Sequence, residues 1–276
     1  MAFQTVERAL DAESLPMRLY EKAKRLGVWN PSDIDFTRDH DDWRTLEEEQ
    51  RDALLQTTSL FVAGEEAVTL DLLPLVLTIA REGRLEEELF LTTFLFEEGK
   101  HTQFFRRFLD EVGGSPDGLA RYHGESYRML FEEELPQAMQ ALITDPSAAA
   151  QARAAVTYNL IVEGVLAETG YHSYFEALEA GDLLPGLRDG LRLIKQDESR
   201  HIAYGVHLLT RLVATEPALW EIVEERMAAL LPLALGVVDE GFTRYGDRSP
   251  FGLEKDAIAA FAASQFQARL ERIKPG

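Results

Sequence analysis

Two short segments, Glu98-Gly99-Lys100-His101 and Glu198-Ser199-Arg200-His201, each place a glutamate three residues before a histidine. Three residues are about one helical turn, so the carboxylate and the imidazole share one face of a helix. That face is otherwise mostly apolar in both segments, with neighbours Leu91, Phe94, Leu95, Phe105, Leu191, Ile194 and Ile202. An unpaired charge among apolar side chains costs several kcal/mol, and a bound metal ion would remove that cost.

Two further glutamates interrupt apolar stripes in the helix that precedes each pair. Glu65 lies in SLFVAGEEAVTL and Glu163 lies in VTYNLIVEGVLAE. The chain therefore repeats one unit twice: a helix with a buried glutamate, a turn, and a helix with Glu-x-x-His. Four glutamates and two histidines on four helices are the ligand set of a dinuclear, carboxylate-bridged metal site in a four-helix bundle.

The rest of the chain also has helical periodicity, and glycine and proline separate the segments. We expect an all-α protein: a ferritin-like four-helix bundle core with additional flanking helices, in a single domain spanning residues 1–276. A capping box is expected at Thr45-Leu46-Glu47-Glu48, and residues 28–43 are expected to form a loop. The predicted helices span about 14–27, 45–83, 84–110, 125–143, 147–179, 184–213, 216–243 and 252–273.

Composition excludes several classes of protein. The chain has 28 basic and 48 acidic residues, a net charge of −20, which disfavours nucleic acid and anionic membranes as partners. It has no cysteine, so disulfides, zinc–thiolate sites and cysteine nucleophiles are absent. The longest apolar run, residues 67–80, is too short to span a bilayer. The N-terminus does not resemble a signal sequence, so we expect a cytoplasmic protein without a membrane span.

The ligand types favour particular metals. Carboxylates with one imidazole per ion suit iron or manganese better than zinc or copper. Asp197 precedes Glu198 and is expected to accept the free N–H of a ligand histidine, His101 across the bundle. Glu97 holds the matching place in the first half, where a helix-surface charge is an equal alternative.

The segment Asp197-Glu198-Ser199-Arg200-His201 resembles the second motif of the ferritin-like dimetal oxidases, often Asp-Glu-x-Arg-His. Among them, the chain is most similar to the ligand-binding oxidases that resemble the ribonucleotide reductase small subunit. In the small subunit a radical-carrying tyrosine lies four residues after the first motif's histidine, and here that position is Phe105. The resemblance covers about residues 15–245, and it selects Glu65, Glu98 and Glu163 over Glu66, Glu97 and Glu168.

The resemblance implies a cross-link. In this group an ether joins a valine three residues after the first ligand glutamate to a tyrosine five residues before the third. Val68 and Tyr158 occupy these positions relative to Glu65 and Glu163. Tyr171 resembles a further tyrosine near the site. On their own, Val68 is an ordinary core residue and Tyr158 a buried phenol with one hydrogen bond.

The resemblance also implies the cofactors and partners. Manganese would be bound by Glu65, Glu98 and His101, and iron by Glu163, Glu198 and His201, with Glu98 bridging. The expected protein is an O2-activating manganese–iron oxidase that removes hydrogen from C–H bonds, with a di-iron form as the alternative. A long-chain fatty acid would bind at the metals, the electron donor is unknown, and a homodimer is expected by analogy.

Other classes remain open. A manganese–iron ribonucleotide reductase small subunit would need a path of Trp and Tyr to a partner, for which Trp43 is a candidate. The last helix is expected to end close to residue 276, so we do not expect the tyrosine-bearing tail of such subunits. A ferritin relative would be a shorter four-helix chain. A helical interaction protein would have no reason to bury four glutamates.

Overall fold

Long antiparallel helices dominate the computed structural model, which describes residues 4–115 and 117–275. The nine main helical elements are α1 (Leu15–Leu26), α2 (Thr37–Thr45), α3 (Glu48–Arg81), α4 (Leu85–Phe108), α5 (Glu125–Arg128, Met129–Glu134 and Leu135–Ala141), α6 (Ala148–Ala155, Val156–Ala167 and Glu168–Glu179), α7 (Pro185–Thr215), α8 (Leu219–Phe242) and α9 (Lys255–Ile273). The predicted all-α class is confirmed, and the last three helices begin within three residues of their predicted starts.

Four of these helices form the core of the bundle. Helices α3 and α4 pack as an antiparallel hairpin, closed by Gly83 in a left-handed conformation (φ 72°), and α6 packs against α7. Helix α1 covers α4 and α7, while α8 and α9 cover α6. No helix among residues 4–115 and 117–275 is both long and apolar enough to cross a membrane.

Helix α6 begins where the sequence predicts. The Ser147 side chain accepts a hydrogen bond from the Ala150 N–H at 3.2 Å, which satisfies one of the free donors at the helix start. Its middle part, Val156–Ala167, is a π-helix and is buried over most of its length. Wide turns of this kind are uncommon and frequent at functional sites, and this one carries both Tyr158 and Glu163.

The predicted capping box is wrong by two residues. Helix α3 begins at Glu48, and the Gln50 side chain accepts from the N–H of Glu47 at 3.0 Å. The Thr45 hydroxyl instead donates to the Asp42 carbonyl at 2.7 Å and belongs to the end of α2.

The prediction of a loop over residues 28–43 is also wrong, because this stretch contains most of α2. The buried carboxylate of Asp39 accepts hydrogen bonds from the N–H groups of Gly186 and Leu187, both at 2.8 Å. The Asp42 carboxylate accepts from the Leu184 N–H at 2.8 Å, where Leu184 has a positive φ of 47°. Helix α2 therefore fixes the N-terminus of α7.

Two clusters of buried apolar side chains lie on either side of one polar layer. Phe94 of α4 and Tyr204 of α7 belong to one cluster, while Phe104 of α4 and Ile194 of α7 belong to the other. Each helix contributes its Glu-x-x-His segment between its two apolar stretches. The polar layer is therefore closed at both ends by packed hydrophobic residues.

Candidate metal centre

The polar layer collects six ionisable side chains from four helices. All six are buried, with at most 6% of any of them exposed: Glu65 on α3, Glu98 and His101 on α4, Glu163 on α6, and Glu198 and His201 on α7. The structure thus brings together the six side chains that the sequence pattern selects.

The first half of the layer surrounds His101. Its Nδ1 lies 3.5 Å from Glu65 Oε2, 3.5 Å from Glu98 Oε2 and 3.3 Å from Glu198 Oε1. One donor atom from each of these four residues lies within 4.8 Å of the donor atoms of the other three, as binding to a single ion requires.

The second half surrounds His201. Its Nδ1 lies 3.2 Å from Glu98 Oε1, 3.7 Å from Glu163 Oε1 and 3.5 Å from Glu198 Oε2. Glu98 and Glu198 thus each turn one oxygen towards each histidine. The family resemblance implies only Glu98 as a bridging residue. In the structure, Glu198 has an equivalent position between the two halves.

Several of these polar atoms have no hydrogen-bond partner although they are buried. Those around the centre are Glu98 Oε2, His101 Nδ1, Glu163 Oε1, Glu198 Oε2 and His201 Nδ1. Each such atom costs about 1–3 kcal/mol when unsatisfied. An ion with bonds of about 2.1 Å holds adjacent donors roughly 3.0–3.4 Å apart, close to most of the separations measured here. The donor set therefore fits two metal ions.

The charges around the centre favour cation binding. Burial raises the pKa of Glu65 and of Glu163 well above the usual range, since a desolvated carboxylate is costly. Burial also acts on Glu98, but the two histidines beside it outweigh that effect and lower its pKa. The neighbouring carboxylates raise the pKa of His101 and of His201 despite their burial. Metal cations would take the place of the protons held here.

Asp197 fixes the orientation of His101. Its Oδ2 accepts from His101 Nε2 at 3.3 Å, from Lys100 Nζ at 3.0 Å and from the indole N–H of Trp29 at 2.8 Å. Because Nε2 is bonded to Asp197, Nδ1 is the ring nitrogen that faces the three glutamates around His101. This is the contact that we expected for Asp197, and it is of the type that raises the basicity of a ligand histidine.

Glu97 fixes the orientation of His201 in the same way. Its Oε2 accepts from His201 Nε2 at 2.9 Å, and its Oε1 accepts from Arg200 Nη2 at 2.5 Å. Glu97 is 1% exposed, so the alternative of a helix-surface charge is wrong. Arg200 also donates to Asp197 and joins the two halves.

Sequence reasoning missed three residues of this outer shell: Lys100, Arg200 and Trp29. A signal for the first two was present, since both motifs follow one pattern of acid, Glu, any residue, base and His. Sequence reasoning had no such signal for Trp29, because this residue lies in a segment without helical periodicity. Trp43, the candidate for a redox path, packs against Phe108 with ring centroids 6.0 Å apart, whereas Trp29 is bonded to Asp197.

The proposed cross-link residues and Tyr171 also lie at the centre. The Tyr158 hydroxyl donates to Glu98 Oε1 at 3.1 Å. Val68 is buried and shares a cavity wall with Glu65 and Glu98. The Tyr171 hydroxyl is buried without a hydrogen-bond partner, and its pKa is raised by burial and by Glu198.

An elongated cavity leads away from the centre between α3, α6 and α8. Its wall on α3 includes Ala53, Thr57, Leu60, Gly64 and Val68, spaced three or four residues apart. Phe61 stacks on Phe105 at 4.9 Å and on Tyr171 at 5.0 Å beside it. The charged residues among those described in the wall are all carboxylates of the centre: Glu65, Glu98, Glu163 and Glu198.

Comparison with known proteins agrees with this site. The sequence model of the ribonucleotide reductase small chain family matches residues 17–274. The chain therefore belongs to the ribonucleotide reductase small chain family. The resemblance drawn from the two motifs, including the ferritin-like class of fold, is confirmed.

Solved structures of R2-like ligand-binding oxidases are similar over nearly the whole chain. A valine-to-isoleucine variant with an aerobically reconstituted Mn/Fe cofactor is 40% identical, with a TM-score of 0.95 over 99% of both chains. A second structure, with an aerobically reconstituted Mn/Fe cofactor after a long soak, is 40% identical with a TM-score of 0.95 over 99% of this chain and 97% of that chain. A valine-to-leucine variant with an anaerobically reconstituted Mn/Fe cofactor is 40% identical with a TM-score of 0.94, over 99% and 98%.

Proposed function

We propose that the protein is an O2-dependent manganese–iron oxidase whose centre oxidises C–H bonds. The observation that carries the proposal is the set of buried donor atoms from four glutamates and two histidines. Three of the glutamates and both histidines have a donor atom without a hydrogen-bond partner. When bound, the two reduced metals would supply two of the four electrons for O2 reduction and a strong oxidant. The protein's own residues hold the ions, orient the histidines and exclude water.

The proposed ligand sets follow the two halves of the centre. Manganese is assigned to Glu65, Glu98 and His101, and iron to Glu163, Glu198 and His201. The Mn/Fe cofactor of the similar oxidases supports the pair of metals. The positions of Glu98 and Glu198 between the histidines support two bridging carboxylates rather than one.

We also propose an ether bond between the β-carbon of Val68 and the phenol oxygen of Tyr158. Forming it removes one hydrogen from each residue and delivers two electrons to the oxidised centre. The hydrogen bond from Tyr158 to Glu98 supports this assignment, because it holds the phenol oxygen at the centre. Packed apolar residues on both sides protect the oxidant from water.

The elongated cavity is the proposed site for a long-chain fatty acid. Its described wall has no basic residue, so only the metals could neutralise a carboxylate there. The stretch of α3 from Ala53 to Glu65 is about 18 Å long at 1.5 Å per residue. With C–C bonds of about 1.5 Å, an extended acyl chain advances about 1.25 Å per bond, so a chain of about fifteen carbons has that length.

A homodimer is proposed through the outer face of α3. Leu70, Leu73 and Leu77 are 62%, 46% and 42% exposed and lie on one stripe. Exposed Glu66 and Arg81 bracket the stripe. A twofold axis near Leu73 would place Glu66 of each copy opposite Arg81 of the other, which is the self-complementarity that a symmetric dimer requires.

The second candidate is a manganese–iron ribonucleotide reductase small subunit. One observation favours it: the hydrogen bonds from Trp29 through Asp197 to His101 connect a half-buried indole to the centre. Such a chain could carry an electron from a partner. It would serve equally for the unknown electron donor of the oxidase.

Peptide mass mapping before and after aerobic reconstitution with manganese and iron tests the oxidase. We expect a fused species of the peptides containing Val68 and Tyr158, two hydrogens lighter than their sum. Tyr158→Phe, which removes the phenol oxygen, is the control and should bind both metals without fusion. Unfused wild-type peptides in protein that holds two ions would instead support the small-subunit candidate.

A further inference from the structure

A series of neighbouring aromatic rings leads from His201 away from the carboxylates. Phe94 stacks on the imidazole with centroids 3.6 Å apart and planes at 17°. Phe90 lies 6.0 Å from Phe94, and Tyr204 lies 5.2 Å from Phe90. All three rings are fully buried. Tyr204 is also three residues after His201 on α7, about one helical turn away.

This series of rings ends at a carboxylate, which can act as a base. The Tyr204 hydroxyl donates to Glu87 Oε2 at 3.0 Å. Glu87 Oε1 lies 3.1 Å from Arg84 Nη1 and 3.4 Å from Arg211 Nε, so the carboxylate is paired with two guanidinium groups. A phenol that loses an electron becomes a strong acid. A buried tyrosine can therefore be oxidised reversibly where a carboxylate accepts its proton.

Glu87 also connects this phenol to the surface. It lines a cavity together with His207, Arg211 and exposed Asp11. The cavity therefore extends from this carboxylate, itself 4% exposed, to a residue at the surface.

Three other buried tyrosines, Tyr158, Tyr171 and Tyr174, lack this arrangement. Tyr122 does donate to a carboxylate, that of Asp52, but it is not one of the rings that lead to His201. The Tyr171 hydroxyl has no hydrogen-bond partner, and the Tyr174 hydroxyl is paired with the Thr58 hydroxyl at 2.7 Å, which is not a base at neutral pH. Tyr158 contacts Glu98, a proposed metal ligand, and is consumed by the proposed cross-link.

We propose that Tyr204 is a one-electron donor that discharges the oxidised centre once Val68 and Tyr158 are already joined. The inference rests on the proposed oxidase function. Reduction of O2 to water takes four electrons, of which two reduced metal ions supply two. In the first reaction the cross-link supplies the other two, but in later reactions that source is spent. Tyr204 then gives one electron, the third, to the centre and its proton to Glu87. An external one-electron reductant such as ascorbate restores the phenol, and a second oxidation of Tyr204 supplies the fourth electron.

The test uses protein that is fully cross-linked and loaded with manganese and iron. This protein is reduced again, exposed to O2 without further reductant, frozen rapidly and examined by electron paramagnetic resonance. We expect a tyrosyl radical signal that ascorbate removes. Tyr204→Phe should lower its yield at least tenfold, while Tyr174→Phe, a matched loss of a buried hydroxyl, should leave it unchanged.

A second variant separates proton acceptance from folding. Glu87→Gln keeps the Tyr204 phenol but weakens the base, and we expect its radical yield also to fall at least tenfold. Metal content and the mass of the cross-linked peptide, measured on the same samples, show that each variant is folded and loaded.

Two results would overturn the inference. One is a tyrosyl signal of undiminished yield in Tyr204→Phe. The other is wild-type protein whose metals are reoxidised by O2 without any tyrosyl signal. Failure to bind two metals or to form the cross-link would be visible in the controls, and it would overturn the oxidase function and this inference together.

Discussion

Glu97 on α4 accepts a hydrogen bond from His201 on α7 at 2.9 Å, so the first motif orients the histidine of the second. The reciprocal contact joins Asp197 to His101 at 3.3 Å. Each histidine thus takes its metal-facing direction from the opposite helix. The geometry of the centre therefore depends on the packing of α4 against α7 as well as on the motifs themselves.

This crossed arrangement predicts crossed effects of mutation. Asp197→Asn should weaken binding of the ion beside His101, and Glu97→Gln should weaken the ion beside His201, each by about 10–100-fold. Chelator competition gives the affinities, and anomalous diffraction shows which ion is lost. Asp189→Asn, on the exposed part of α7, is the control and should change neither. Loss of the ion on the mutated helix instead would contradict the crossed arrangement.

Close packing of α6 against α7 requires a glycine at position 205. A Cβ added to Gly205 would lie 2.2 Å from the Cβ of Asn159, whose side chain donates to Glu163 Oε2 at 2.9 Å. Gly205→Ala should therefore lower the free energy of unfolding by about 1–3 kcal/mol. Denaturant titration of the metal-free protein measures this change.

Gly99→Ala is the matched control for that glycine. A Cβ at Gly99 meets nothing within 4 Å, and the residue is exposed on α4. Because alanine favours the helix over glycine, stability should rise by up to about 1 kcal/mol. A gain at Gly205 equal to that at Gly99 would show that movement of α6 relieves the clash.

The cavity predicts a variant that loses the fatty acid and keeps the metals. Ser173 lies in the wall on α6 between Glu163 and Ala177, so Ser173→Trp should fill the passage. Extraction and mass spectrometry should find at least tenfold less fatty acid than in the wild type. Glu176→Gln, exposed on the same helix, should keep it. Undiminished fatty acid in Ser173→Trp would place the ligand elsewhere.

The dimer predicted through α3 can be tested by charge. Leu73→Glu places a carboxylate at the proposed twofold axis, where it meets its own copy, and should give monomers in sedimentation equilibrium. Thr92→Glu introduces the same charge at an exposed position of α4 and should not. A dimer that survives Leu73→Glu would show that α3 is not the interface.

Periodicity, which buried polar residues interrupt visibly, predicted the fold class and the repeated pattern of glutamate and histidine. The family resemblance then selected Glu65, Glu98 and Glu163 over neighbouring glutamates. The sequence did not predict α2, since that helix has few apolar positions and its buried Asp39 acts through a tertiary contact with Gly186. The partners of Glu97 and the role of Trp29 depend on which helices face one another. Spacing along one chain does not carry that information.

The most direct test of the central claim is a crystal structure of protein reconstituted with manganese and iron, with anomalous data on both sides of each metal's absorption edge. We predict two ions, one bound by His101 Nδ1 and one by His201 Nδ1, with both Glu98 and Glu198 contacting the pair. A single ion, or two ions outside this layer, would contradict the account.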